Sequence, residues 1–182
     1  MSDAPSYTAF DGHMLLATGA PIDVALAVKA AIERGAVGPV LTFDDATGRV
    51  VDLDLHGSAL DIAARLGDPV PRGRGRPKLG VTPREVTLLP RHWDWLAAQP
   101  GGASVTLRRL IDEARRADGG QSQSRAARET AYRFMSAMAG DLPGFEEATR
   151  ALFAGDRQPF EQHCAGWPPD LRAHTLKLAG TF

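Results

Sequence analysis

The chain has a single cysteine, Cys164, so no disulfide can form within it. No run of eighteen apolar residues occurs, and the N-terminal "MSDAPSYTAFDG" has an acid where a signal peptide would have a basic start and an apolar stretch. The sequence therefore shows neither a spanning helix nor a secretory signal, and we expect a cytoplasmic protein with no membrane partner. No set of Cys and His residues has the spacing of zinc ligands, so we expect no metal or other cofactor.

The net charge is close to zero, −1 at pH 7, but the charges are unevenly placed. Residues 1–70 carry four basic and ten acidic side chains, net −6, whereas residues 71–91 carry six basic and one acidic side chain, net +5. Affinity for a polyanion depends on local neutralisation of phosphates and not on the total charge. The window 71–91 is therefore the part of the chain that favours a nucleic-acid partner.

The composition, 43% hydrophobic over 182 residues, is that of a globular protein, and the order of elements predicts an α+β fold. Residues 1–66 read as a small acidic α+β domain. It has a hairpin turn at Asp11-Gly12, a helix from Pro21 to Gly35, two strand-like runs, "PVLTF" and "RVVDLDLHG", and a helix at about 58–66. The apolar stripe of the first helix is Val24, Ala27, Val28, Ala31 and Ile32.

The rest of the chain divides into four parts. Residues 67–83 hold four prolines and four glycines, which excludes a helix or a central strand and indicates a basic arm or linker. Residues 84–116 read as a strand, a helix beginning near Pro90, a glycine turn and a helix capped by Ser104. Residues 117–124 are a polar linker, and residues 125–182 read as four short helices that each end at a glycine.

Within the arm, arginines alternate with glycines and are followed by a proline and a lysine. Glycine lets the backbone approach the floor of a DNA minor groove, and proline keeps the chain extended. The run resembles the AT-hook motif, whose core is Arg-Gly-Arg-Pro. The resemblance implies binding to A·T-rich double-stranded DNA, where the minor groove is narrow and electronegative. The residues so assigned are Arg72, Arg74, Gly75, Arg76, Pro77 and Lys78. A solvated linker remains the alternative.

Residues 84–116 resemble the ribbon-helix-helix family of DNA-binding dimers. In that family, strands from two copies form an antiparallel ribbon in the major groove, and the start of the second helix holds a phosphate. The resemblance implies a homodimer, with Gly102 and Ser104 at a phosphate and Trp93 and Leu96 in the core.

The strand itself departs from the family pattern. After Arg84 it offers no Arg, Lys, Asn or Gln for bidentate base contacts, so only Arg84 or Thr87 is suited to contact bases. Arg91 adds a positive charge just after the strand. The ribbon is therefore either a DNA reader or only a dimerisation device.

Four blocks spread over the chain also resemble a family of conserved bacterial proteins with no assigned activity. These blocks are "FDDATGR…VDLDL", "GRPKLGV…EVTLLPRHW.WLA", "GGASV.LR.L…AR" and "FMSAMAGDLPGFEEATRALFAGD". The resemblance covers nearly the full length and implies a shared architecture without an activity.

The most enzyme-like cluster consists of carboxylates and a histidine on neighbouring strands, a set that could hold a hard cation. Its members are Asp44, Asp45, Asp52, Asp54 and His56. A turn followed by the solvent face of a hairpin strand is the preferred interpretation of these residues. Cys164 has no positioned catalytic partner and is interpreted as a small core or boundary residue. The stripe Phe134, Met138, Leu142, Phe145, Leu152 and Phe153 is interpreted as helical core.

We therefore predict a dimeric DNA-binding protein without enzymatic activity, either a transcriptional regulator or a duplex-coating accessory protein. Two alternatives stay open. One is a protein-interaction adaptor whose basic arm docks an acidic partner, and the weaker one is a metal-dependent hydrolase that uses the 44–56 cluster.

Overall fold

The computed structural model describes residues 5–67 and 84–180. These form an α+β protein, as predicted, with an antiparallel sheet and a large helical part. The elements are β1 (Tyr7–Asp11), β2 (Met14–Gly19), α1 (Pro21–Glu33), β3 (Val40–Asp44), α2 (Ala59–Leu66), α3 (Pro90–Ala97), α4 (Gly102–Asp118), α5 (Gln121–Met138), α6 (Phe145–Ala154), α7 (Arg157–His163) and α8 (Pro169–Ala179).

The chain divides into two compact units. The main unit contains the described residues 5–67 and 123–180, and the two-helix unit contains the described residues 84–122. The N-terminal and C-terminal regions, predicted as separate parts, thus belong to one unit. Among the described residues, no helix combines the length and the apolarity needed to cross a membrane.

The sheet has the strand order β2-β1-β3, and both pairings are antiparallel. The predicted hairpin is confirmed: β1 and β2 are joined through Gly12, whose φ of 54° suits a tight turn. Strand β1 is the central strand, and its first residue, Tyr7, pairs with Gly19 of β2 on one side and with Asp44 of β3 on the other. A register shift between Ala9 and Phe10 marks a bulge in the hairpin.

The predicted first helix is α1, which begins at Pro21 and buries Val24, Val28 and Ala31. Val24 and Val28 pack in one cluster with Ala9 of β1. Ile32 was expected in the same stripe, but its side chain is 52% exposed. Helical spacing shows which residues lie on the same side of a helix, but the width of the buried face depends on what packs against it. Ile32 lies at the edge of that face and stays exposed.

The core of the main unit joins the sheet to the C-terminal helices. Phe10 of β1 and Phe43 of β3 are fully buried, and both pack on Phe134 of α5, at ring-centroid distances of 5.5 and 4.9 Å. Helices α6, α7 and α8 add Leu152, Phe160 and Leu171 to this cluster. The core is therefore built from residues more than a hundred positions apart.

The second strand-like run, residues 49–56, does not form a strand, and this prediction is wrong. Phe43 and Val50 make one isolated bridge, and the N–H of Val51 donates to Thr42 O at 2.8 Å. Beyond that point, side chains take the place of a partner strand. Lys29 donates to the carbonyl of Leu55 at 3.3 Å, and Arg65 donates to the carbonyls of Asp54 and His56. The predicted alternation in burial is present all the same: Val51, Leu53 and Leu55 are half-buried, and the residues between them are exposed.

The four predicted C-terminal helices are confirmed as α5 to α8. The predicted glycine ends are present at α6 and α8, with C-caps Gly155 and Gly180, whereas the C-cap of α7 is Cys164. However, α4 continues to Asp118 and α5 begins at Gln121, so the polar stretch 117–124 is helical except at Gly119 and Gly120. Of the predicted helical core, Phe153 is the exception, with 48% of its surface exposed. Cys164, predicted as a core or boundary residue, is fully buried, and burial raises the pKa of its thiol to about 12.

Candidate nucleic-acid interface

The two-helix unit contains both predicted helices of the ribbon-helix-helix-like segment. Helix α3 begins at Pro90, and α4 begins at Gly102, after Gly101 with a φ of 83°. Ser104 was predicted to cap α4, and this is wrong: it lies inside the first turn, and Gly101 is the N-cap. The left-handed backbone at Gly101 favours glycine, and a Cβ there would lie 3.1 Å from the side chain of Val105.

Residues 84–89, predicted as a strand, have no regular secondary structure in the single chain. The backbone is extended where it enters α3, since Leu89 has φ −67° and ψ 149°. A ribbon strand exists only when it pairs with a second copy, so the pairing stays a prediction. Arg84 and Thr87, the two candidate base-reading residues, are both exposed.

The two-helix unit has very little core of its own. Among its described residues only Leu96 and Thr106 are buried, at 3% and 2% exposure. Trp93 was predicted as a core residue, but it is 42% exposed, and Trp95 is 50% exposed. The large apolar side chains that remain exposed in this unit are Val86, Leu89, Trp93, Trp95, Val105, Leu110 and Ile111.

Part of this apolar surface forms an open groove between α3 and α4, with a volume of about 280 Å³. The groove is lined by Leu88, His92, Trp95, Leu96, Leu107 and Leu110. Leu96 is the one lining side chain that is buried. The others remain accessible, so only an additional apolar surface placed on the groove would bury them.

The start of α4 is open to an anion. No side chain caps it, and Gly102 and Ser104, the predicted phosphate-binding residues, lie in its first turn. Unpaired N–H groups at a helix start carry partial positive charge and suit a phosphate oxygen. Arg84 and Arg91 are exposed, and within the described part of the chain neither makes a hydrogen bond or an ion pair.

Helix α4 carries four arginines and three acidic side chains, so its net charge is only +1. Arg109 pairs with Glu113 at 3.6 Å, and Nε of Arg116 donates to the carbonyl of Asp112 at 3.1 Å. The window 71–91, with a net charge of +5, is therefore expected to attract phosphate more strongly than α4 does. The arm residues Arg72, Arg74, Gly75, Arg76, Pro77 and Lys78 lie outside the described residues.

The acidic cluster predicted as an alternative metal site is not assembled. Asp54 interacts with His56 at 3.0 Å and with Arg65 at 3.2 Å, whereas Asp45 faces α8. Hydrogen bonds from the backbone and the side chain of His56 lower the pKa of Asp54. Within residues 5–67 and 84–180, no three His, Cys, Asp or Glu side chains lie close enough together to hold a metal ion.

The structure contains a polar network around Asp45 that the sequence did not predict. The Asp45 carboxylate, with 10% of its side chain exposed, accepts from Thr8 Oγ1 at 2.7 Å, Ser6 Oγ at 3.0 Å and Lys177 Nζ at 2.9 Å. Burial opposes its charged form, but the donors from Lys177, Thr8 and Ser6 together outweigh burial and lower its pKa.

His174 of α8 lies beside this network. Its Nε2 is 3.6 Å from Asp45 Oδ1, too far for a hydrogen bond, and burial lowers its pKa to about 4 in spite of the nearby carboxylate. His174 is therefore neutral at pH 7. The network ties the sheet to α8. Nothing in the local sequence around Asp45 signals a partner 132 positions away.

Comparisons with known proteins give one match. No curated protein and no solved structure matches the chain. A family profile matches residues 6–179, which confirms the resemblance inferred from the four sequence blocks. The chain therefore belongs to the bacterial family DUF2239, described as "Uncharacterized protein conserved in bacteria".

Proposed function

We propose that the protein is a homodimer that binds double-stranded DNA, as a transcriptional regulator or a duplex-coating accessory protein. The two-helix unit forms the dimer, and the basic arms of the two subunits enter flanking minor grooves of A·T-rich DNA. The start of α4 holds a backbone phosphate and sets the register.

The dimer proposal rests on one observation: within residues 84–122, the two-helix unit buries two side chains and leaves seven large apolar ones exposed. Covering a half-exposed apolar side chain is worth on the order of 1 kcal/mol. Seven such side chains on each subunit are enough to drive association if a matching surface is available. A second copy supplies that surface by symmetry, because a two-fold interface is self-complementary.

The arm and the open start of α4 support DNA as the ligand. Residues 71–91 hold six basic side chains, so a dimer carries twelve. If half of these contact phosphates, the logarithm of the binding constant falls with the logarithm of the salt concentration with a slope of about −5. The start of α4 adds a contact that depends on the backbone and does not read sequence.

Fluorescence anisotropy with labelled A·T-rich and G·C-rich duplexes, each at two salt concentrations, tests the proposal. The wild type should bind the A·T-rich duplex more tightly, with the steep salt dependence given above. The double variant Arg74→Ala/Arg76→Ala should lose most of the affinity. Arg115→Ala/Arg116→Ala is the matched control, because it removes two exposed arginines at the far end of α4.

Three results decide between the readings. If neither duplex binds at low salt, the DNA proposal is wrong and the adaptor with an acidic protein partner takes its place. If the arm variant binds like the wild type, DNA binding stands but the arm has no part in it. If both double variants lose the same affinity, the arginines of the arm contribute to DNA binding through their charge alone and not through insertion into the minor groove.

A further inference from the structure

A cleft of about 340 Å³ opens on the main unit, away from the Asp45 network. It lies between the β1–β2 turn, the beginning of β3 and the end of α5. It is lined by Gly12, His13, Pro39, Leu41, Ala137, Met138 and Asp141. Its volume is at the lower end of the range found for small-molecule sites.

One rim of the cleft is held rigidly. The Asp11 carboxylate, in a side chain that is 8% exposed, accepts from the N–H groups of Val37 at 3.0 Å and Gly38 at 2.7 Å. The N–H of Gly12 donates to Pro39 O at 3.0 Å. A Cβ on Gly38 would lie only 2.9 Å from Gly12 Cα, so the two turns approach closely enough to require glycine. A rim fixed in this way costs little ordering entropy when a ligand binds.

The floor of the cleft is apolar. Met138 is 7% exposed, and Leu41 is half-buried against the main core. Pro39 completes the apolar side next to them. Methionine adapts its shape to a ring placed against it and makes favourable sulfur–aromatic contacts. The space suits one six-membered ring with a short substituent.

Two titratable side chains that make no polar contact within the described residues lie beside this apolar floor. His13 and Asp141 are exposed, and within the described residues neither forms a hydrogen bond or an ion pair. No lysine or arginine lines the cleft, and the Asp11 carboxylate under the rim adds further negative charge. The local field therefore favours a cation over an anion.

We propose that this cleft binds a small organic amine, with its ring on Met138 and Leu41 and its ammonium group at Asp141. His13 offers a ring nitrogen to a hydroxyl group on the ligand. The proposal is independent of DNA binding, since every lining residue belongs to the main unit.

Isothermal titration calorimetry of the full chain with tyramine tests the proposal. Tyramine should bind saturably, and 4-ethylphenol, which has the same ring without the amine, should bind about tenfold more weakly or worse. Asp141→Asn should lose a similar factor for tyramine and leave 4-ethylphenol unchanged. Asp52→Asn, which neutralises another exposed aspartate of the same unit, should bind tyramine like the wild type.

A second variant tests the cavity apart from the charge. Ala137 is exposed on α5, so Ala137→Phe should fold normally and fill the cleft, which would abolish binding of both ligands. Absence of saturable tyramine binding by the wild type overturns the proposal. So does equal binding by Asp141→Asn, or unchanged binding by Ala137→Phe with a circular-dichroism melting curve like that of the wild type.

Discussion

Lys177 Nζ on α8 lies 2.9 Å from Asp45 Oδ2 in the turn after β3, and this ion pair joins residues 132 positions apart. Thr8 and Ser6 donate to the same carboxylate from the N-terminal side. The pair is therefore one corner of a network that fastens the last helix to the sheet.

Asp45→Ala should destabilise the protein by about 2–4 kcal/mol, because three donors lose a charged acceptor and two of them are partly buried. Urea denaturation, monitored by circular dichroism, measures the loss. Asp52→Ala, at an exposed aspartate of the same unit, should change the free energy of unfolding by less than about 0.5 kcal/mol. Equal effects of the two variants would mean that the network contributes nothing to stability.

The stability of the main unit should fall as the pH is lowered from about 6.5 to about 4. Burial lowers the pKa of His174 to about 4 from 6.5, so in this window the unfolded chain binds a proton that the folded chain does not. The pKa of Asp45 is also lowered, and its contribution is lost only below its ordinary value of 3.8. His174→Phe should remove the slope between pH 6.5 and 4. A slope that persists in this variant would assign it to another group.

Gly48 should not tolerate a side chain. Its φ is 67°, and a Cβ would lie 2.1 Å from the carbonyl oxygen of Thr130 on α5. Gly48→Ala should therefore cost more than about 2 kcal/mol, since the turn must move off the helix. Gly35→Ala separates the two causes, because φ is 83° there but nothing lies within 4 Å. It should cost only about 1 kcal/mol, and thermal melting compares the two variants.

Trp95→Ser should weaken self-association of the protein. Trp95 is half-exposed and lines the groove between α3 and α4, so a dimer would bury it twice. Loss of about 1–2 kcal/mol per subunit raises the dimer dissociation constant at least tenfold. Light scattering after size-exclusion chromatography, over a range of concentrations, measures it. Val37→Ser, at a valine 91% exposed in the main unit, is the control. A wild type that stays monomeric at every concentration would disprove the dimer.

Ser104→Glu should separate helix stability from DNA binding. A carboxylate in the first turn of α4 stabilises the helix by about 0.3–1 kcal/mol, whereas it repels a phosphate at the same place. We therefore expect equal or higher thermal stability with several-fold weaker duplex binding. Ser136→Glu adds the same charge at an exposed position of α5 and should leave affinity unchanged. Unaltered binding by Ser104→Glu would remove the start of α4 from the interface.

The elements that depend on local signals were predicted well. The Asp11-Gly12 hairpin, the start of α1 at Pro21, the start of α3 at Pro90 and the short helix at about 58–66, which is α2, all follow from residues within a few positions. Gly102 and Ser104 lie in the first turn of α4, as the local pattern indicated, although the cap itself is Gly101 and not Ser104. Their phosphate-binding role stays a prediction.

The errors share a different cause. The run 49–56 has strand-like alternation, but Lys29 and Arg65 take the carbonyls that a neighbouring strand would have taken. Trp93 has the apolar character of a core residue, yet two short helices cannot enclose it. In both cases the local character of the residues was predicted correctly. The error lay in assuming a partner, a neighbouring strand for the run and an enclosing core for Trp93.

The sequence by itself determined the local conformation of the hairpin and of most helices, the membership of the family, and the concentration of positive charge before α3. Only the tertiary structure decided that the first and last thirds share one core, that Asp45 meets Lys177, and that residues 84–122 of the two-helix unit bury little more than Leu96 and Thr106. The physical reason is that turns, caps and helical periodicity are set by neighbouring residues, whereas burial and ion pairing depend on which distant surfaces meet.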